Sequence, residues 1–260
     1  MVAARLMATP PPAVPPPRHV PGAGPPWQLV RDDFARLRTV FVYARPEEWS
    51  AVAEDERRLP LLLGHEAARW RRLPDTAVRR QFVASRILVK HTAGALLGVP
   101  PHAIALDNTR TGAPFLPQSP WLRISLSHTD GLVLAGFSAA GPVGVDVERS
   151  DRPLVALGLP DEFCTPDELA FLRGLPPHRR NACAVRLWTL KEACTKAVGR
   201  GMRLPFTGFG FDLSTARPRL RPPLVPHELR AHPWQFSTRT LCRPGYTASF
   251  ALQGTYGGQV

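Results

Sequence analysis

The sequence predicts an α+β fold. Its 260 residues are enough for one large domain or two domains of ordinary size. Helical patterns and several short strand patterns occur in both halves of the chain, which is typical of this fold class. We find no strict internal repeat, and no apolar run approaches the roughly 18 residues that a membrane-spanning helix needs.

The first 26 residues are rich in proline and poor in large apolar side chains. Because such a segment cannot build a core, we expect residues 1–26 to form a disordered, mobile tail. Its short apolar start gives way to proline rather than to the apolar core of a signal peptide, so we expect an untargeted, cytoplasmic protein. The four cysteines form no C-x-x-C pair, which favours reduced thiols over a zinc site or a disulfide framework.

Globular composition begins at Trp27. Runs of β-branched, aromatic or alternating apolar residues predict strands over 39–43, 104–106, 121–126, 132–137, 144–148, 209–213, 234–240 and 246–252. Helical periodicity predicts helices over 49–59, where Pro60 interrupts, and over 65–73, 75–98, 166–173 and 179–198. Thr165 followed three residues later by Glu168 predicts a capping box at the start of the fourth helix.

The chain carries a net charge of +12, which indicates an anionic partner. Nucleic acid, a phosphorylated small molecule or an acidic protein would each satisfy it. Only three of the 33 basic residues are lysines, and two of them, Lys191 and Lys196, lie close together in the sequence. A lysine is a compact point charge suited to phosphate, whereas the arginines around Arg69 favour a solvated helix face over phosphate binding.

The stretch WTLKEACTKAVGRG, residues 188–201, predicts the last turns of a functional helix. Residues three and four apart are neighbours on a helix surface, so Trp188, Glu192 and Lys196 lie along one side. The helix should end at Gly199, because glycine tolerates the left-handed cap. Glu192 could accept a proton from an attacking hydroxyl, and Lys196 could stabilise a departing phosphate.

The stretch GVDVE, residues 144–148, predicts a strand that complements this helix. Alternation buries the valines and presents Asp146 and Glu148 together on the opposite face. Two carboxylates from the strand and that of Glu192 from the helix make an oxygen-rich site suited to magnesium. Such a metal, with nearby cations, is sufficient for phosphoryl transfer.

Each of these features also has a purely structural interpretation. Glu192 and Lys196 would be a surface ion pair, the strand carboxylates a solvated face, and the serine and histidine at 127–128 a simple turn. The chain has no P-loop, no G-x-G-x-x-G and no G-x-S-x-G motif, which leaves nucleotide triphosphatase, dinucleotide oxidoreductase and serine hydrolase functions without support. Two alternative functions remain: another magnesium-dependent phosphoryl or pyrophosphate enzyme, and a basic nucleic-acid binder. The second would need exposed aromatic side chains for base stacking, but here the aromatic residues fall mainly inside apolar runs.

The two stretches, with Ser127-His128 before them in the right order, closely resemble the signature of 4′-phosphopantetheinyl transferases. The resemblance covers residues 65–213 and is closest to the surfactin-synthetase-activating type. It implies an enzyme that moves phosphopantetheine from coenzyme A to a serine of an apo acyl or peptidyl carrier protein and releases 3′,5′-ADP with Mg²⁺. The pathway implied is polyketide, nonribosomal peptide or fatty acid biosynthesis.

The same resemblance implies a monomer of two similar α+β halves related by pseudo-twofold symmetry, residues 27–142 and 143–260, with the active site in the cleft between them. We expect neither nucleic acid nor a membrane as a partner. By position in the motif, the metal carboxylates are Asp146, Glu148 and Glu192, and Glu192 and Lys196 are the catalytic residues. The implied contacts to coenzyme A are Arg69, Arg80, Ser127, His128, Lys191 and Lys196. Relatives commonly carry a basic residue where this chain has Ala113, so one basic contact to coenzyme A is missing or comes from a neighbour such as Arg110.

Overall fold

The computed structural model describes residues 14–24, 26–74, 77–199, 204–214, 217–221, 227–230, 233–242 and 245–254. The helices within these ranges are α1 (Trp27–Leu37), α2 (Ser50–Ala53), α3 (Arg58–Leu63), α4 (Ala67–Arg72), α5 (Ala77–Leu97), α6 (Pro160–Phe163), α7 (Pro166–Gly174), α8 (Pro177–Val198) and α9 (His227–Arg230). The strands are β1 (Arg18–His19), β2 (Thr39–Ala44), β3 (Asp107–Asn108), β4 (Pro114–Phe115), β5 (Arg123–Thr129), β6 (Leu132–Ser138), β7 (Val143–Arg149), β8 (Phe211–Asp212), β9 (Arg219–Leu220), β10 (Trp234–Leu241) and β11 (Tyr246–Gln253).

Two sheets, each packed against a long helix, organise the fold. The first has the strand order β1-β2-β6-β5, and the second has the order β10-β11-β7. β1 is parallel to β2, whereas the other pairs in these sheets are antiparallel. Helix α5 packs on the first sheet and α8 on the second. The α+β class predicted from the sequence is confirmed.

Each sheet has its own apolar core, and a third core lies where the sheets meet. The first core includes Val42, Leu88 and Phe137, and the second includes Leu187 and Leu190. The third joins residues of both sheets, namely Phe41, Leu134, Val145, Val147 and Phe250. The two sheets are therefore held against each other by buried apolar surface.

Serine side chains join the sheets where β5 lies beside β7. The backbone N–H of Val145 donates to Ser125 Oγ at 3.0 Å, and that of Val147 donates to Ser127 Oγ at 3.3 Å. Side-chain hydroxyls thus satisfy backbone donors of β7 that its own sheet leaves unpaired. This contact fixes β7 beside the end of β5, where the candidate site lies.

The expectation that residues 1–26 form a mobile tail is wrong for residues 14–24, which pack onto the fold. β1 extends the first sheet, Val20 is fully buried, and the indole N–H of Trp49 donates to the Val20 carbonyl at 3.0 Å. Arg18 pairs with Asp33 at 2.7 Å. An extended, proline-rich chain suits an edge strand, and the buried side chains of Val14 and Val20 anchor it. Residues 1–13, the rest of the expected tail, lie outside the described residues.

Most other predicted elements form close to their expected positions, with three differences. The helix expected over 49–59 forms instead as two short helices, α2 and α3, with the non-helical residues 54–57 between them. Pro60 does not interrupt a helix but lies in the first turn of α3, where its missing N–H has no helical partner to lose. The strand expected at 104–106 is absent from the described chain, where the two-residue β3 follows instead. The capping box forms as predicted: the N–H of Glu168 donates to Thr165 Oγ1, and the N–H of Thr165 donates to the Glu168 carboxylate.

Candidate functional site

The site depends on a close approach between β7 and α8 at Gly144. A Cβ atom on Gly144 would lie 1.8 Å from the carbonyl oxygen of Ala193 and 2.7 Å from the backbone nitrogen of Ala197. Only glycine can occupy a position so near another backbone. Two residues further along the same face of the strand, Asp146 therefore faces the helix close to Lys196.

Six of the residues predicted for the site line one cavity of about 270 Å³, which we call the carboxylate cavity. Strand β5, strand β7 and helix α8 each supply two of them. The six are Ser127, His128, Asp146, Glu148, Glu192 and Lys196. The sequence therefore correctly predicted which strand and which helix meet.

Asp146 is the most constrained of these side chains. It is buried, and its Oδ1 accepts from Lys196 Nζ at 2.6 Å and from Ser127 Oγ at 2.7 Å. Its Oδ2 is buried and has no hydrogen-bond partner. A buried carboxylate oxygen without a partner is costly, so this atom is suited to a ligand that brings positive charge.

The two glutamates are half-buried and face the same cavity. Glu148 accepts from Thr129 Oγ1 at 3.3 Å and from the guanidinium of Arg152. Burial raises the pKa of Glu148, and the charge of Arg152 opposes that effect. Burial, with the nearby negative charge of Asp146, also raises the pKa of Glu192. A carboxylate with a raised pKa accepts a proton more readily, as a general base must.

The three carboxylates provide the donor types that magnesium prefers, and the orphaned Asp146 oxygen is available to such an ion. Within the described residues, however, no group of three or more His, Cys, Asp or Glu side chains is positioned to hold a metal as it stands. Two of the three carboxylates are instead paired with cations, Asp146 with Lys196 and Glu148 with Arg152. The oxygen donors suit magnesium, and binding of the ion would require Lys196 and Arg152 to move away from the carboxylates.

A second cavity, of about 440 Å³, adjoins the first at His128, and we call it the basic cavity. Arg69 and Arg86 both line it, with their guanidinium carbons 5.3 and 4.0 Å from the centre of the Phe82 ring. Partial burial and the charges of Lys196 and Arg86 lower the pKa of His128. The histidine is therefore a neutral hydrogen-bonding group between a carboxylate-lined and an arginine-lined space.

Lys191, predicted to contact coenzyme A, is instead buried in the second core. Its Nζ lies 2.7 Å from Glu168 Oε2 and donates to the carbonyls of Phe206 and Phe209, also at 2.7 Å. Successive residues on a helix are about 100° apart, so a lysine next to Glu192 is carried away from the cavity. Burial lowers the pKa of Lys191, while Glu168 opposes the effect. Lys191 is a structural residue that anchors α8 to the loop before β8.

Arg80, also predicted to contact coenzyme A, lies elsewhere. It lines a different cavity, beside Glu47, Trp70 and Arg79. That cavity has no lining residue in common with the carboxylate or the basic cavity. Helix α5 therefore contributes Arg86 to the site, about 1.7 turns from the predicted arginine.

Sequence reasoning missed Arg86 and Arg152 as site residues. Arg86 is flanked on α5 by buried residues from Phe82 to Lys90, and an arginine inside so apolar a stretch is a signal that could have identified it. It is held by Glu66 at 2.8 Å. Arg152 lies in the loop after β7 and carries no comparable sequence signal.

Comparison with known proteins finds similarity in the part of the chain that contains β7 and α8. A sequence model of the 4′-phosphopantetheinyl transferase superfamily matches residues 142–251. The chain is 34% identical over 145 residues to the 4′-phosphopantetheinyl transferase HetI of Nostoc sp., and 30% identical over 148 residues to the transferase psf-1 of Bacillus pumilus. These alignments cover 54% and 57% of this chain, but only 61% of each relative's length. The transferase Sfp of Bacillus subtilis is 22% identical over 62% of this chain and 70% of its own.

Solved structures with similarity to the chain include a holo-(acyl-carrier-protein) synthase from Bacillus anthracis in complex with CoA (3′,5′-ADP), with a TM-score of 0.37 and 19% identity. It covers 44% of this chain and 96% of the synthase. In the described part of the chain, no helix is both long and apolar enough to cross a membrane. Residues 142–251 thus match the 4′-phosphopantetheinyl transferase superfamily model, and over about half of its length the chain is similar to transferases of that name.

Proposed function

We propose that this protein transfers the 4′-phosphopantetheine group of coenzyme A to a serine hydroxyl of an apo acyl or peptidyl carrier protein and releases 3′,5′-ADP. One observation carries the proposal: three carboxylates and an ammonium converge on a cavity that shares His128 with a second cavity, whose lining includes Arg69 and Arg86. A pyrophosphate linked to a phosphorylated nucleoside would suit both spaces, with a divalent cation between it and the carboxylates and with its other phosphate beside the arginines.

Two of the cavity residues carry the chemistry in this proposal. Glu192 accepts the proton of the carrier serine as its oxygen attacks the phosphorus attached to pantetheine. That attack forms a serine–phosphorus bond and breaks the pyrophosphate bridge, so the electron pair leaves with 3′,5′-ADP. Lys196, which lines the same cavity, would neutralise the departing phosphate.

A magnesium ion held by Asp146, Glu148 and Glu192 would neutralise charge on the pyrophosphate. Support comes from the orphaned Asp146 oxygen and from the hard oxygen donors around it. The anionic end of coenzyme A belongs in the basic cavity, where Arg69 and Arg86 supply positive charge.

Ser127 has a different role from the phosphate contact that the resemblance implies. Its hydroxyl hydrogen is already donated to Asp146, and its oxygen accepts from the N–H of Val147. We assign it to holding the metal carboxylate in place. His128 keeps its place as a contact to coenzyme A.

We also propose that the chain acts as a monomer of two related halves, divided near Pro142 into residues 27–142 and 143–260. Support comes from the two sheets, each with its own long helix and core. The carboxylate cavity draws on β5 of the first sheet and on β7 and α8 of the second unit. A pseudo-twofold axis between the halves, with the site in their cleft, would account for this arrangement.

The proposal is tested by incubating the protein with magnesium, coenzyme A and a panel of apo carrier proteins, followed by intact-mass measurement. The expected result is the addition of one phosphopantetheinyl group to a carrier and the appearance of 3′,5′-ADP. Consumption of another pyrophosphate substrate, with every carrier unmodified, would support the rival magnesium-dependent enzyme. Binding of nucleic acid without any turnover would support the non-enzymatic rival that the +12 charge leaves open.

A further inference from the structure

Arg152 is a cation that contacts two of the side chains lining the carboxylate cavity. Its Nη1 donates to Glu148, and its guanidinium carbon lies 5.0 Å from the centre of the Trp188 ring. Both Glu148 and Trp188 line the cavity. The guanidinium therefore sits between a predicted metal ligand and the aromatic wall beside it.

The backbone around Arg152 is fixed as firmly as the side chain. Asn181 of α8 donates from Nδ2 to the Arg152 carbonyl at 2.9 Å, and its Oδ1 accepts from the N–H of Val155 at 3.2 Å. The N–H of Arg152 donates to the Arg149 carbonyl at 3.1 Å. The loop is thus tied to α8 in a geometry that brings the guanidinium to the cavity.

The neighbouring Arg149 shows what an ordinary surface arginine looks like in the same segment. It is half exposed and pairs with Asp151, whose carboxylate is more exposed still, at 2.6 Å. Neither residue lines the carboxylate cavity. Arg149 and Arg152 therefore differ in their partners, because the partners of Arg152 line the cavity and the partner of Arg149 does not.

We propose that Arg152 is an internal counter-cation that competes with the divalent metal for Glu148 and so sets the metal concentration at which the site loads. This inference rests on the proposed function, because it presupposes a metal at the three carboxylates. Without a counter-cation, three carboxylates around one cavity repel each other, and Arg152 relieves that repulsion in the metal-free protein. The same charge opposes an incoming divalent ion and must give up Glu148 when the ion binds.

Two further features suit an exchangeable cation. The Arg152 side chain is 33% exposed and that of Glu148 is 19% exposed, so the pair lies at the edge of the protein rather than in its core. The Trp188 ring gives the guanidinium a second attractive surface, where it can stay after leaving Glu148. Lys196 neutralises the other strand carboxylate in a similar way, but it belongs to the proposed catalytic machinery and cannot serve as a clean test.

The test is Mn²⁺ binding to the full-length protein, followed by the loss of the free Mn²⁺ electron paramagnetic resonance signal, without coenzyme A or carrier. Wild type is compared with Arg152→Gln, Arg152→Lys and the matched control Arg149→Gln. We expect Arg152→Gln to bind Mn²⁺ on the order of tenfold more tightly than wild type, as the removal of one nearby charge predicts. Arg152→Lys should lie between the two, and Arg149→Gln should match wild type.

Thermal unfolding of the same proteins supplies a second readout. Metal-free Arg152→Gln should unfold at a lower temperature than wild type, and Mn²⁺ should raise its Tm by more than it raises that of wild type. Equal or weaker Mn²⁺ binding by Arg152→Gln would overturn the counter-cation while leaving the metal site intact. Absence of binding to every variant would overturn the metal site itself, and carrier modification measured separately would show whether the proposed transfer survives.

Discussion

Replacing Gly144 with alanine should separate β7 from α8 and disable the site. The added Cβ would lie 1.8 Å from the Ala193 carbonyl oxygen, whereas real Cβ contacts do not fall below about 3 Å, so the helix must move by more than about 1 Å. Both neighbours are backbone atoms, and no rotamer change can relieve the clash. Glu192 and Lys196 move with α8, whereas Asp146 stays with β7. The 2.6 Å contact between Lys196 and Asp146 would then be lost.

The expected magnitudes are about 3 kcal/mol of unfolding free energy, at the upper end for overpacking, and about 100-fold in kcat/KM for carrier modification, the usual cost of a 1 Å displacement. Chemical denaturation and a carrier-modification assay measure the two quantities. Gly174→Ala is the matched control, because a Cβ there meets no atom within 4 Å. A Gly144→Ala protein with wild-type stability and turnover would refute the close approach as the basis of the site.

Three more predictions concern the same elements. Lys191→Met should cost about 3–5 kcal/mol in urea denaturation, because it leaves a buried glutamate unpaired, and near-neutral stability would contradict the core position of this lysine. Glu192→Gln should raise the Tm of the metal-free protein at neutral pH. Burial raises the pKa of Glu192 above its ordinary 4.5, so the folded state holds the proton more tightly than the unfolded state does. The stability of the wild type therefore falls as pH rises through the window above 4.5. If Tm depended on pH in the variant as it does in the wild type, this explanation would be wrong. Ser127→Ala should lower kcat more than it raises the KM for coenzyme A, because it frees Asp146, whereas Ser125→Ala should not; a pure KM effect would return Ser127 to the phosphate site.

The carboxylate cavity was predictable because its residues lie on two elements with strong periodicity. Alternation in 144–148 and the three- and four-residue spacing in 188–201 each define a face, and both faces carry carboxylates. The shared carboxylates indicated that the two faces meet, but the glycine that permits the contact was read only as part of the motif. The contact between β7 and α8 joins two backbone segments that are distant in sequence, and periodicity carries no information about such contacts.

Lys191 and the N-terminal segment show where sequence reasoning stops. A lysine beside a catalytic glutamate resembles a second phosphate contact, and only the loop before β8 provides the buried carbonyls and carboxylate that hold it. Residues 14–24 have the composition of a tail, but an available sheet edge and a pocket for Val20 order them. Both outcomes depend on tertiary partners far along the chain, as do the placements of Arg86 and Arg152.

The most direct test of the account is the intact mass of an apo carrier protein after incubation with coenzyme A, magnesium and either wild type, Asp146→Ala or Asp151→Ala. Asp151 is an exposed aspartate outside the cavity and serves as the matched control. The account predicts one added phosphopantetheinyl group with wild type and with Asp151→Ala, none with Asp146→Ala, and none with wild type when a chelator removes the metal. Wild-type modification rates in Asp146→Ala, or modification that persists in the chelator, would contradict it.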